Sequence, residues 1–146
     1  MRTKGKHGIA FCDGSTKGYV GMVIRAPGKQ EVSHVVPIDI ITNNEAEYLA
    51  LIKLLLKLDP KRRWKVYTDS MLVVKQINGE WGLKAENLKS YHDEAIYYIE
   101  SLKLDISLAW VGRDNNPAGI LLEDIKRADN KSEKQARTHR SRNLGQ

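Results

Sequence analysis

The segment from Leu49 to Leu58 constrains the fold more than any other part of the chain. Eight of its ten residues are apolar, and only Lys53 and Lys57, four apart, mark a solvent stripe. A helix apolar nearly all round is expected to lie packed onto a sheet. Asn43 or Asn44 is expected to cap it, with the helical segment running from about Glu45 until Asp59-Pro60 stops it.

The flanking sequence supplies the strands of such a sheet. Ile9–Cys12 is a short apolar run ending at Asp13-Gly14-Ser15, and Tyr19–Ile24 is a second, closed by Ala26-Pro27-Gly28-Lys29. In the third, Val32, His34 and Val36 alternate with their neighbours before Pro37. Three strands at hairpin spacing predict an antiparallel meander. After the apolar helix, Trp64–Thr68 reads as a fourth strand, with Asp69-Ser70 able to cap a helix over Met71–Ile77. Asn87–Leu102 reads as a helix by its three-to-four spacing, and Leu104, Ile106, Leu108 and Trp110 alternate as a fifth strand. Asn116-Pro117 opens a last helix, Asn as cap and Pro at the first helical position, expected to fade near Ala128. A meander followed by crossover units predicts an α/β fold, a five-stranded mixed sheet flanked by helices.

The 146 residues suit one domain. No apolar run approaches the roughly 18 residues of a spanning helix, and no apolar stretch follows the basic N-terminus as a secretory leader would. Cys12 is the single cysteine, which suits a reducing, cytoplasmic setting. The net charge is +6, but from Lys126 onward there are seven basic residues and two acidic ones. Residues 1–128 are therefore expected to form the domain, and 129–146 a basic tail with little fixed structure.

Three acidic residues occupy places where a fold has no need of them. Asp13 ends the first strand, Asp69 ends the fourth, and Glu47 sits on the first turn of the apolar helix, in line with Leu54 and Leu58 and so aimed at the sheet. Glu45 aligns through Leu49 with Lys53, nearer the exposed stripe. If strands one and four are neighbours, Asp13, Glu47 and Asp69 converge. Three carboxylates in a partly buried site repel one another unless a cation neutralises them, and hard oxygen donors suit Mg²⁺ or Mn²⁺. Two such ions roughly 3.5–4 Å apart can serve phosphodiester hydrolysis.

The words around these residues carry a resemblance. Phe11-Cys12-Asp13-Gly14-Ser15, Thr42-Asn43-Asn44-Glu45-Ala46-Glu47, Tyr67-Thr68-Asp69-Ser70 and Trp110-Val111-Gly112-Arg113 stand in the order and spacing of type 1 ribonuclease H, over about residues 7–125. The resemblance implies a ribonuclease H-like fold and metal-dependent cleavage of the RNA strand of RNA–DNA hybrids by two ions, with the 3′-oxygen as leaving group and 5′-phosphate and 3′-hydroxyl ends. Asp13, Glu47 and Asp69 match the family's first three catalytic carboxylates, Asp13 between the ions. Gly14, Ser15, Thr42, Asn43 and Asn44 fall in its hybrid-contacting words, which read RNA 2′-hydroxyls. Trp81 can lie against DNA sugars as an aromatic does in relatives, or pack under its loop; Arg113 can contact a phosphate.

The chain also departs from the family. Most members end in Arg-x-x-Asn-x-x-Ala-Asp, whose Asp is the fourth carboxylate; here Arg113-Asp114-Asn115-Asn116-Pro117-Ala118-Gly119 has no Asp after its Ala. A shortened loop would put Asn116 at that position as a fourth ligand without charge, with Asp114 as rival; Asn116 can also be a helix cap, and one residue can do both. The His-bearing loop and the basic helix of some bacterial relatives have no counterpart, and the basic tail is a candidate replacement handle. The expected protein is thus a monomeric endoribonuclease acting on RNA–DNA hybrids. The alternatives are a weak or inactive module binding hybrid or double-stranded RNA, and another nuclease on the same fold.

Overall fold

The N-terminal apolar runs pair as a meander. In the computed structural model, which describes residues 6–144, strands β1 (Gly8–Ser15), β2 (Tyr19–Arg25) and β3 (Val32–Pro37) are antiparallel. Strands β4 (Arg63–Thr68) and β5 (Asp105–Trp110) add in parallel beside β1, giving the order β3-β2-β1-β4-β5. The connection from β3 to β4 is helix α1 (Asn43–Leu55); α2 (Met71–Ile77) and α3 (Glu86–Ser101) join β4 to β5, and α4 (Pro117–Leu144) closes the chain. Long crossovers of this kind are what parallel neighbours require.

Alternation along β1 sorts the two faces. Ala10 and Cys12 join Val20, Met22, Val66 and the α1 residues Leu51, Ile52, Leu54 and Leu55 in the main core. Phe11 points the other way and meets Val23 and Ala118 of α4, with Ile9 and Tyr67 against them. The apolar helix is therefore covered as its composition demands: Leu51, Leu54 and Leu55 are fully buried, each contributing about 1.5–3 kcal/mol of burial. Among the described residues no helix is long and apolar enough to cross a membrane.

Two expectations are corrected. The cap of α1 is Thr42, not Asn43 or Asn44: its hydroxyl accepts from the Glu45 N–H at 3.3 Å and donates to Glu45 Oε1 at 2.7 Å, while Asn43 already lies in the helix. This is a capping box, readable in Thr42-x-x-Glu45. The last helix does not fade at Ala128 into an unstructured tail but runs to Leu144. Its second half is too polar to pack, yet Lys, Arg, Gln, Glu and Ala are strong helix formers, and no Gly or Pro interrupts before Gly145. The tail expected for 129–146 is thus helical over its described part; Gly145 and Gln146 lie outside the described residues.

The approach of α1 to the end of β1 rests on one glycine. A Cβ on Gly14 would stand 2.2 Å from the Ala46 carbonyl oxygen and 2.8 Å from the Glu47 nitrogen, both backbone atoms. Only a residue without a side chain lets the first turn of α1 settle there. Gly14→Ala is expected to destabilise the protein by about 1–3 kcal/mol through overpacking, whereas Gly82→Ala, with no atom near the added carbon, is expected to be close to neutral. Urea denaturation of the two variants checks this.

Candidate active site

The parallel pairing of β1 with β4 sets Cys12 opposite Thr68, so the next residues on each strand, Asp13 and Asp69, emerge side by side at the carboxyl end of the sheet. Glu47, held over that end by the contact at Gly14, completes the group. Carboxylate oxygens of Asp13, Glu47 and Asp69 all lie within 4.8 Å of one another. Glu47 is only 5% exposed and its Oε2 accepts from the Thr68 hydroxyl at 3.4 Å. Serine and backbone fix Asp69 from either side: Ser70 caps α2 through the Val73 N–H at 3.3 Å, and the Trp110 indole donates to the Asp69 carbonyl at 3.2 Å.

Such crowding has an electrostatic signature. Burial first, then the charges of Asp13 and Asp69, raise the Glu47 pKa far above the ordinary carboxylate range. Burial, with Asp69 next to it, raises Asp13 as well, while the hydrogen bond from Glu47 and the Gly14 N–H work the other way. Without a cation the pair holds a proton that the unfolded chain would release. The donor set (three hard oxygens, close together, short of positive charge) fits Mg²⁺ or Mn²⁺.

The cleft over the carboxylates measures about 500 Å³ and is lined by Asp13, Gly14, Ser15, Asn43, Glu47, Arg113 and Asp114 from the expected set, with Thr16, Gly119, Ile120, Leu122, Glu123, Asp124, Lys126 and Arg127. The structure leaves other expected contacts outside that lining. Thr42 is committed to its capping box, Asn44 is exposed on the helix start, and Trp81 is 49% exposed on the loop after α2 rather than packed beneath it. The cleft wall contributed by α4 was not read from the sequence. Its signal was present: Gly119, Glu123 and Lys126 or Arg127 recur at three-to-four spacing inside the helix expected to reach Ala128, but a polar face of this kind reads from sequence as a solvated one.

The fourth position is filled differently from a fourth carboxylate. Asn116 is fully buried; its Oδ1 accepts the Ala118 N–H at 3.1 Å and its Nδ2 donates to the Cys12 carbonyl at 3.0 Å. It caps α4 and ties that helix to β1. Asp114 is exposed on a short 3-10 turn, Arg113–Asn115, and is not among the clustered carboxylates. Gly119 of α4 stands against the Asp13 carboxylate: an added Cβ there would lie 3.1 Å from Asp13 Oδ2.

Against this geometry, the family model for RNase H matches residues 5–136. The chain belongs to the RNase H family. Among solved structures, RNase H1 of the halophilic archaeon Halobacterium salinarum is 28% identical, covers 77% of this chain and 91% of its own, and superposes with a TM-score of 0.68. The N-terminal RNase H domain of a Mycobacterium tuberculosis protein is 29% identical over 88% of this chain and 99% of that one, with a TM-score of 0.66. LC11-RNase H1 in complex with an RNA/DNA hybrid is 25% identical, covers 75% and 88%, and has a TM-score of 0.62. The five-stranded mixed sheet with its helices is the RNase H-like arrangement.

Two outcomes follow for this RNase H site. Because folding raises the pKa of Glu47 and Asp13 above their unfolded values, the folded state binds more protons, and stability falls as pH rises above the ordinary carboxylate range. Urea melts with chelator present are expected to show lower stability at pH 8 than at pH 5, and Asp13→Asn is expected to flatten that decline. For Asn116, replacement by Asp keeps the cap acceptor but sets a carboxylate oxygen against the Cys12 carbonyl. Asn116→Asp is therefore expected to lower the melting temperature and leave divalent-ion affinity no higher; a gain in affinity measured by calorimetry would show the position to be a metal ligand.

Proposed function

We propose that this RNase H-family protein is an endoribonuclease that hydrolyses the RNA strand of RNA–DNA hybrids with two divalent cations, Mg²⁺ or Mn²⁺. The observation that carries the reading is the meeting of Asp13, Glu47 and Asp69 where the pairing of the adjacent central strands β1 and β4 ends. It is supported by the family match and by the likeness to a relative whose structure holds an RNA/DNA hybrid. A protein that only bound polyanions would gain nothing from three clustered negative charges facing phosphate.

In this reading Asp13, Glu47 and Asp69 would hold the cations, Asp13 shared between them as the family resemblance implies. When bound, the cations stabilise the attacking and leaving oxygens of phosphodiester hydrolysis, which leaves 5′-phosphate and 3′-hydroxyl ends. Cation binding would require Glu47 and Asp13 to be ionised and so would release the proton they hold in the absence of a cation. Asn116 is a positioning residue here: full burial and an amide engaged at both ends leave it to hold the start of α4 against Cys12. Gly14, Ser15, Asn43 and Arg113 line the cleft where the scissile strand lies, Arg113 supplying the donor geometry that suits phosphate.

The glycine at position 119 favours a second reading within the same frame. Among the described residues no α4 carboxylate joins Asp13, Glu47 and Asp69 within 4.8 Å, so cation binding is weaker than four clustered carboxylates would give, and the protein can hold hybrid while cleaving it slowly or not at all. One assay separates the two: a labelled hybrid incubated with Mg²⁺, then Mn²⁺. Cleavage is expected, with Asp13→Asn slower by about a hundredfold or more, equivalent to several kcal/mol of lost charge stabilisation. Undiminished cleavage by that variant would sink the assignment; binding without cleavage in either metal would establish the second reading.

A further inference from the structure

Helix α4 leaves the sheet part-way along its length. Ala118 and Leu122 are buried against the sheet and Ile125 is half-buried, whereas every described side chain from Lys126 to Arg137 is exposed. From Lys126 to Leu144 the helix continues for roughly 28 Å at 1.5 Å per residue. Nothing in the core requires this extension.

Its charges are not spread evenly round the axis. With Gly119 as the zero and about 100° per residue, the sheet-facing Ala118, Leu122 and Ile125 fall at about −60° to −120°. Asp129, at about −80°, turns to the same side, where it accepts from the Tyr19 hydroxyl at 3.0 Å. Glu133 follows at about −40°. The described cations beyond the sheet fall elsewhere: Lys126 at about −20°, Arg137 at about 0°, Lys134 at about 60°, Arg127 at about 80° and Lys131 at about 120°. This is the sector of Gly119, Ile120, Glu123 and Asp124, which line the carboxylate cleft; the two acidic side chains lie at its inner end and the cations follow beyond them. Lys126 and Arg127 themselves line that cleft, so the basic face begins inside the site and runs outward from it for about 16 Å.

We infer that the C-terminal half of α4 is an arm that holds the sugar–phosphate backbone of the hybrid while its scissile segment lies over Asp13, Glu47 and Asp69. This rests on the function proposed above and names where the rest of the substrate goes. A duplex carries about one negative charge per 1.7 Å, so a row of cations on one helix face, continuous with the cleft, matches it in sign and in linear form. Net charge makes the same point: seven of the 24 basic residues and only two of the 18 acidic ones lie from Lys126 onward, which leaves the remaining body close to neutral. A lipid surface fits less well, because from Lys126 to Arg137 the extension has no apolar face to insert; Ala128 and Ala136 are the only apolar residues in that stretch.

The test is a salt titration of binding to a labelled hybrid with chelator present, using the full chain. In one variant Arg127, Lys131 and Lys134 become Gln, which keeps helix propensity; in a second they are exchanged as Arg127→Lys, Lys131→Arg and Lys134→Arg. A control places Lys29→Gln, Lys57→Gln and Lys65→Gln toward the opposite end of the sheet. The arm variant is expected to bind at least tenfold more weakly at 100 mM salt, with the slope of log affinity against log salt reduced by about 2–3. The charge-keeping variant and the control are expected to match the parent, and circular dichroism to show equal helix content. Equal slopes for the arm variant and the control would overturn the arm while leaving the nuclease standing if the parent still cleaves. A parent that neither binds nor cleaves the hybrid would overturn both. Binding to phosphatidylserine vesicles that is lost in the arm variant, with hybrid binding unchanged, would overturn it in favour of a lipid surface.

Discussion

Three like charges held together at the end of two parallel strands are the constraint around which the structure is arranged. Carboxylates this close oppose folding, so the fold must supply rigid support for each. Asp13 and Asp69 are fixed by the register of β1 against β4, where Cys12 faces Thr68. Glu47 arrives from a different element, and its position depends on the backbone of α1 touching β1 at Gly14. The apolar circumference of α1 then has a purpose beyond stability. Leu51, Leu54 and Leu55 anchor the helix in the core, so the repulsion at its first turn is opposed by burial along the rest. A free helix end would swing the glutamate into water, where its charge would cost little and hold nothing.

Much of this was legible in the sequence because it is encoded locally. Apolar alternation marks Ile9–Cys12 and Trp64–Thr68 as strands, and an Asp directly after each is visible without any knowledge of pairing. Glu47 and Glu45 can be told apart by helical phase alone: Glu45 goes to the capping box with Thr42, and Glu47 goes to the site. What remained hidden was non-local or depended on propensity rather than pattern. Asn116 reads as a cap from its neighbour Pro117, but its second bond, to the Cys12 carbonyl 104 residues earlier in the chain, follows only from the packing of α4 on the sheet. The extension of α4 was missed for another reason. A polar, charged segment without an apolar stripe carries the composition of a disordered tail, and nothing in its hydrophobic pattern separates that from a solvated helix continuing an anchored one.

The two features in which α4 differs from expectation act on opposite sides of the same problem. Among the described residues its first turns add no carboxylate to the close group of Asp13, Glu47 and Asp69: Gly119 faces Asp13 with hydrogen alone, and the Asn116 amide is engaged by the cap and by β1. The clustered group is left with three carboxylates rather than four, which in the function proposed here would weaken its hold on divalent cations. The later turns of the same helix carry cations on the cleft side, where in the proposed arm they would raise the local concentration of a polyanion. Because one rigid helix, anchored by Ala118 and Leu122 and tied by Asp129 to Tyr19, carries both features, the position of the basic face is set by the same contacts that place Gly119 beside Asp13. An error in the seating of α4 would therefore disturb cation binding and substrate holding together, and a change confined to its exposed cations would disturb only the second.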